Sequence, residues 1–365
     1  MSKTLDNFLK YIVGILFIFS GLVKVNDPIG TSIKLKEYFE VFATDFAPFF
    51  EIFIPYSLVI AVFVVVLEVV LGLALLLHYR MKLTAWLFLL LIAFFTFLTF
   101  YSAYFNKVTE CGCFGDAIPL TAWQSFGKDV VLSVLVILIF IRQKHFKAFI
   151  PVRTNDIIIG IAFILNIYLA IHSIRHLPYV DFRAYKIGNY IPEQMMPSEP
   201  YRYKYIMEKD GEEFEFTEYP SDTTYKYKDM IILNPEAQPK ITDYHIWTDD
   251  GEFTEETFIG NKLFIILYDV TKASTKHMDR IVALINEIES QVDVWALTAS
   301  ADTEFEIFRH EHQLAIPYFY ADMTVLQAII RSNPGLWLMQ DGKVVGKWHH
   351  NDVPEAKTII DLLEQ

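Results

Sequence analysis

Residues 84–105 read TAWLFLLLIAFFTFLTFYSAYF, an apolar run without a charged side chain. About 20 such residues cross the hydrocarbon core of a bilayer as a helix. A buried helix in a water-soluble protein keeps a polar stripe along one side, and this stretch has none. Four more stretches, 8–23, 55–77, 126–141 and 155–171, are long and nearly uncharged. The sequence therefore predicts five membrane spans within the first half of the chain. The first stretch could instead serve as a secretory signal, but no small-x-small cleavage site follows it. It runs on into SGLVKVNDP and reads as an uncleaved span.

Charge divides the chain at the same place. Residues 1–173 hold 13 Lys and Arg against 11 Asp and Glu, whereas residues 174–365 hold 18 against 33. An apolar, near-neutral half joined to an acidic half excludes a purely soluble enzyme. The missing basic surface excludes nucleic acid as a partner, and two cysteines are too few for a disulfide-stapled secreted module. Lys3, Arg80, Lys82, Arg142, Lys144, Lys147 and Arg153 fall in 1–7, 78–83 and 142–154, while 25–54 and 106–124 carry mostly acids. Positive charge favours the cytoplasmic side. The expected placement is an inner membrane, the N-terminus cytoplasmic and the C-terminal half periplasmic.

The acidic half begins with turns and alternating aromatics. YRYKYIMEKDGEEFEFTEY (201–219) and DYHIWTDDGEFTEETF (243–258) read as hairpins turning at Asp210-Gly211 and Asp250-Gly251. Beyond 260 strands alternate with helices. Strands are expected at 262–270, 292–300 and 316–322, helices at 272–290, 302–314 and 323–332, then a hairpin over 335–350 and a helix over 358–365. That order predicts an α/β arrangement around a mixed sheet. It resembles the thioredoxin-like fold in its membrane-tethered thiol-reductase form, across 241–365. The stretch 243–269 reads like the hairpin and first core strand of that family, and Pro334 in SNPGLWLM matches a proline that is usually cis there. Where the family carries its CxxC this chain has YDVTKASTK (268–276), so Thr271 to Ser274 stand at the thiol positions. Hydroxyls do not perform thiol–disulfide exchange. The resemblance thus implies a redox-inactive binding module with Thr271, Ser274 and Pro334 at its site.

Cys111 and Cys113 are the only cysteines, in ECGCFGDAIPLTAWQSFGKD (110–129) between the third and fourth spans. On the outer face of a bacterial envelope such a pair can oxidise. Bridged cysteines have Cα atoms about 4.4–6.8 Å apart. An extended i, i+2 pair lies at the upper edge of that range, so the chain must bend, and Gly112 permits the bend. A strained bridge is readily reduced. Redox exchange, a static bridge and idle thiols remain open. A zinc site would need two further ligands, and no His lies in the loop.

A second group of candidates is ionisable. Lys24, Asn26 and Asp27 end the first span, Glu68 sits in the middle of the second, and Lys128 and Asp129 open the fourth. A charge at mid-membrane is expensive unless paired. Glu68 is therefore a functional candidate, with Lys24 or Lys128 as partner across the bundle. Lys24, Asp27, Glu68, Lys128 and Asp129 would form an intramembrane polar site for a quinone or a proton. The alternative is that the lysines snorkel and Glu68 is protonated.

FSGLVKVNDPIGTSIKLKEYFE (19–40), LEVVLGLALLL (67–77) and ECGCFGDAIPLTAWQSFGKDVVL (110–132) together resemble the DoxX-like/MauE-like membrane proteins. DFRAYKIGNYIPEQM (181–195) also matches a group in which such a bundle is fused to a thioredoxin-like domain. The resemblance implies a four-helix bundle over 1–141, a cytoplasmic loop and fifth span over 142–173, a β-rich periplasmic linker over 174–240, and a thioredoxin-like domain over 241–365. It also implies work beside a maturing, disulfide-rich enzyme, as in methylamine utilisation. The expected role is envelope thiol–disulfide chemistry or protein maturation. Cys111 and Cys113 would exchange, and lipid and a periplasmic client or thiol partner would be the partners. The alternative is a non-enzymatic assembly factor with a structural Cys111–Cys113 bridge.

Overall fold

The computed structural model describes residues 3–108, 114–146 and 150–364. The chain divides into two compact units, Met1–Arg183 and Ala184–Gln365. The first is helical and the second is built on β-sheets.

In the first unit the helices are α1 (Lys3–Asn26), α2 (Pro28–Asp45), α3 (Ser57–Leu76), α4 (Met81–Phe105), α5 (Ala122–Arg142) and α6 (Val152–Arg175). Five stretches are long and apolar enough to cross a membrane: Asp6–Asn26, Pro48–Leu76, Met81–Phe105, Ala122–His145 and Val152–Arg175. Each of the five expected spans coincides with one of them. The segment expected as a loop over 25–54 is instead largely helical. Asp27 caps α2, accepting from the Gly30 N–H at 2.9 Å, and Pro28 opens it with its φ already helical. Leu35, Tyr38 and Phe42 recur at helical spacing and are buried. A 3-10 turn, Pro48–Tyr56, follows. The fourth span also starts earlier than expected. Thr121 and Gln124 form a reciprocal capping box at 3.0 and 3.2 Å, which moves the start of α5 to Ala122.

Helices α1 and α3 run antiparallel in close contact. A Cβ on Gly72 would lie 2.8 Å from the Gly14 carbonyl, and one on Gly21 would lie 2.6 Å from Val69 Cγ2. Helices in lipid associate through such small residues, because apolar tails already solvate apolar side chains. Below this seam Phe17 meets Phe88 edge-on at 4.7 Å, inside a core that includes Leu9, Val13, Leu75 and Ile92. At the end of the bundle where α1 begins, Arg142 holds Asp6 at 2.5 and 2.8 Å, and Asp156 takes Tyr79 and Arg80.

In the second unit β1 (Tyr203–Lys209), β2 (Glu212–Phe216) and β3 (Lys226–Ile232) form an antiparallel sheet in the order β2-β1-β3. The expected hairpin turns at Asp210-Gly211, both at positive φ, the geometry of a tight two-residue turn. The third strand is an addition to the expectation. A second sheet contains β4 (Trp247–Thr248), β5 (Gly251–Glu252), β6 (Asn261–Leu267), β7 (Asp293–Thr298), β8 (Tyr318–Tyr320), β9 (Gly335–Gln340) and β10 (Lys343–His349), ordered β10-β9-β6-β7-β8-β4-β5. β6, β7 and β8 are parallel, and β9 and β10 return antiparallel. The helices are the short α7 (Ile191–Gln194), α8 (Met278–Ile288), α9 (Asp302–Glu311), α10 (Met323–Ile329) and α11 (Ala356–Leu363). Every residue of β6 after Asn261 is buried, the mark of a strand covered on both faces. On one face Leu263, Ile265 and Leu267 meet Ile281, Ile285 and Phe305. On the other Phe264 packs on Trp337 and Trp295.

Two expectations change here. The hairpin over 243–258 is only two residues per strand. The helix expected over 272–290 begins at Met278, because Asp269 caps a 3-10 turn over Val270–Lys272 and delays it. A turn ending at 188–189 also pairs with β10: Gly188 donates to the Val344 carbonyl at 2.8 Å, Val344 donates to that of Asn189 at 2.9 Å, and Tyr190 bridges Lys343.

Candidate functional site

The expected intramembrane site resolves into separate clusters. In the first, Ser20 and Lys24 lie one turn apart on α1 and face Glu68 of α3. Lys24 Nζ donates to both carboxylate oxygens of Glu68, at 3.0 and 2.8 Å, and Ser20 Oγ donates to Oε1 at 2.7 Å. The side chains of Lys24 and Glu68 are 6% and 4% exposed. The ammonium also sits 4.8 Å from the centre of the Phe95 ring on α4. Burial makes each charge depend on the other: charge-assisted bonds are about twice as strong as neutral ones, and either ion alone would be strongly destabilising there. The partner of Glu68 is thus Lys24, not Lys128.

Lys128 and Asp129 form the second cluster on their own. Lys128 bonds its neighbour Asp129, which also accepts from Thr99 Oγ1 of α4 at 3.0 Å. Asp129 is buried, whereas the Lys128 side chain is 24% exposed and lies over the Phe114 ring at 5.4 Å. Next to them Thr96 and Ser133 share a hydrogen bond of 2.9 Å, again between α4 and α5. Asp27 caps α2. Asn26 makes a reciprocal pair with the Val180 backbone, donating at 2.8 Å and accepting at 3.1 Å.

Glu68 takes three hydrogen bonds from Ser20 and Lys24. Cys111 and Cys113 lie outside the described residues. Just after them Phe114 contacts Phe19 at 5.9 Å, and a Cβ on Gly115 would lie 3.3 Å from Val23 Cγ1.

In the sheet unit Thr271, Ser274 and Pro334 come together on one edge. The Ser274 N–H donates to the Asn333 carbonyl at 2.8 Å, and Asn333 Nδ2 donates to that of Asp269 at 2.6 Å. The Asn333–Pro334 peptide bond is cis. Thr271 Oγ1 is turned onto Asp269 at 2.6 Å, as is Lys272 at 2.5 Å. Burial pushes the Asp269 carboxyl up, but the bonds from Lys272 and Thr271 outweigh it and hold the group below the ordinary carboxylate range. Ser332 Oγ bonds the Pro334 carbonyl at 2.5 Å and His350 Nδ1 at 3.0 Å. Burial pushes the His350 imidazole below its ordinary value, and the nearby His277 and Lys276 act in the same direction, against the Pro334 carbonyl. The edge is therefore a network of hydroxyls, amides and a neutral imidazole.

Sequence reasoning missed Ser20, Thr99 and the glycine seam. Ser20 could have been found from its position one turn before Lys24. It also missed His350 and Ser332, which are 18 residues apart and meet only because β9 and β10 fold back on each other.

A short segment, 201–232, matches the model of a domain of unknown function, which corresponds to the three-stranded sheet. No curated protein matches the chain. Residues 2–142, which carry α1 to α5, the Lys24–Glu68 pair and the Lys128–Asp129 pair, match the family model described as methylamine utilisation protein MauE.

Proposed function

We propose that this chain is a membrane accessory factor of envelope thiol–disulfide chemistry or protein maturation. It would sit in an inner membrane with its N-terminus cytoplasmic and its sheet unit periplasmic. Cys111 and Cys113 are the exchanging pair. One thiolate attacks a client disulfide and releases a client thiolate. The second then attacks the mixed disulfide, leaving Cys111 bridged to Cys113 and the client reduced. In reverse, the bridged pair oxidises a client dithiol. Two electrons and two protons move between the partners in either direction.

The observation that carries this reading is the pairing of a cysteine motif with a family match. The chain's only two cysteines stand one residue apart between α4 and α5, inside the region that matches the methylamine utilisation family. The sheet unit supports a division of labour. We read it as thioredoxin-like, with β6 between parallel β7 and antiparallel β9, and with Thr271 to Ser274 beside Pro334 where a thiol pair would stand. Lacking thiols, it holds a client rather than reacting with one. The test is trapping: a Cys113→Ser variant in native membranes should accumulate a mixed disulfide with a client through Cys111, and Cys111→Ser through Cys113. Full cellular activity of the double variant Cys111→Ser, Cys113→Ser would overturn the exchange.

One observation favours a second reading, a non-enzymatic assembly factor. The Lys24–Glu68 pair is buried and joined to Ser20 by hydrogen bonds between α1 and α3, as expected of an interhelical pin. In that reading the bundle anchors, the sheet unit binds and Cys111–Cys113 is a fixed bridge. Variants at Ser274 or Pro334 would then harm function more than variants at Cys111.

A further inference from the structure

We propose that the segment joining α1 to α3 is a lipid-binding element lying in the plane of the bilayer surface, with the 3-10 turn Pro48–Tyr56 set among the acyl chains. Its length requires this. Helix α3 has 20 residues, about 30 Å at 1.5 Å per residue, which by itself fills a hydrocarbon core about 30 Å thick. The turn before it has nine residues and would add about 18 Å at 2.0 Å per residue. Turn and helix together are longer than the core, so the turn reaches the boundary region beside α2.

Both ends of the segment meet the same face of the membrane. Gly14 lies against Gly72, and Gly21 against Val69 and Val65, so α1 and α3 are antiparallel. Ser32 of α2 bonds Ser57 at the start of α3 at 3.1 Å. Helix α2 is held against the last turns of α4, where the Tyr38 hydroxyl donates to the Leu98 carbonyl at 3.2 Å and Asp45 pairs with Lys107 at 2.5 Å. Leu98 lies about 10 Å before the end of α4 at 1.5 Å per residue. This is the depth of an interfacial helix, about 5–10 Å into the boundary of head groups and chains.

The side chains are sorted accordingly. Lys36, Glu37 and Glu40 lie on the side of α2 opposite buried Leu35, Tyr38 and Phe42. No residue of the turn is buried; Phe49, Ile52 and Tyr56 are more than half exposed, and Glu51 is its only charge. Phe49, Phe50 and Phe53 contact one another and reach Phe39, Phe42 and Phe46. This aromatic surface is continuous through Phe97 and Tyr101 with the side of α4, a candidate span. An interfacial element turns Trp, Phe and Leu towards the acyl chains in this way.

The test places the photoreactive residue p-benzoylphenylalanine at Phe49, Ile52 or Glu40 in the full chain. The chain is reconstituted in vesicles of phosphatidylethanolamine and phosphatidylglycerol, irradiated, and its adducts are weighed. Lipid adducts should be several-fold more abundant at Phe49 and Ile52 than at Glu40. Equal yields at the three sites would overturn the proposal, as would cross-links from Phe49 to a second copy of the chain in place of lipid. In a second measurement Ile52→Asp, at a residue 63% exposed, should lower the lipid yield at Phe49 several-fold while the chain stays monodisperse in detergent. An unchanged yield would contradict the placement.

Discussion

Two lysine–carboxylate pairs of the helical unit involve a buried carboxylate, Lys24–Glu68 and Lys128–Asp129, and they differ in what they can do. Lys24 and Glu68 come from different helices, are both buried, and are joined by Ser20. Lys128 and Asp129 are neighbours on one helix, and only the carboxylate is buried. The first pair exists only when α1 and α3 are docked, so it ties the fold to an electrostatic match. The second is local. Its lysine side chain is 24% exposed and lies over the Phe114 ring. A charge inside a span is thus not by itself a sign of chemistry; the number of partners that already claim it decides the matter.

The difference sets an order of effects. Glu68→Ala or Lys24→Ala leaves a buried ion unpaired and should lower stability by about 3–5 kcal/mol, read as early thermal unfolding in detergent. The double replacement Lys24→Met, Glu68→Leu should recover most of that loss. If Glu68→Ala melted like the unmodified chain, the pair would not be the pin described. Next comes the seam that brings the pair together. Gly72→Ala forces a Cβ to 2.8 Å from the Gly14 carbonyl and should destabilise by about 1–3 kcal/mol. Gly127→Ala on α5, with no atom within 4 Å of the new Cβ, should be harmless or stabilise by up to about 1 kcal/mol through helix propensity. Equal melting of the two variants would refute the close approach of α1 and α3.

The local pair should respond more weakly and unequally. Asp129→Ala removes the buried acceptor of Thr99 and should lose about 1–2 kcal/mol. Lys128→Gln should stay within about 1 kcal/mol, as for a partly exposed ion pair. A larger loss for Lys128→Gln would reverse the roles given to the two residues.

The smallest effect belongs to the sheet unit. The imidazole of His350 has its folded pKa below the ordinary value. Folding therefore favours the neutral form, and its contribution is fully present above about pH 6.5, the value for a free imidazole. It is lost as pH falls through the lower folded value. The depressed carboxyl of Asp269 acts in the same direction at more acid pH, below the free carboxylate range. Melting of the sheet unit should fall below about pH 6.5, and His350→Gln should flatten the first part of that fall. A profile identical in the variant would remove His350 from the network around Ser332 and Pro334.

What the sequence made legible follows from how local each signal is. Five apolar runs announce five spans, because a span needs only length and the absence of charge. The strand–helix order after 260 is equally local, and so are the turns at Asp210-Gly211 and Asp341-Gly342. Helix α2 is hidden because the charges of 25–54 mask its pattern, while the spacing of Leu35, Tyr38 and Phe42 carries the helix. Glu68 stood out by its position, but the choice between Lys24 and Lys128 depended on which helix packs against α3. The three glycines that settle that choice lie far apart in sequence. The meeting of Ser332 with His350 was hidden for the same reason.

The central claim concerns Cys111 and Cys113, and their redox state in native membranes tests it most directly. Cells are quenched in acid, free thiols are tagged with a mass-shifting probe, and the chain is resolved by size before and after mild oxidant or reductant. The account predicts a mixture of dithiol and bridged forms that shifts with either reagent. A pair that is fully bridged and unmoved by reductant at levels that leave structural disulfides intact would contradict it, and the chain would then be an assembly factor with a fixed bridge.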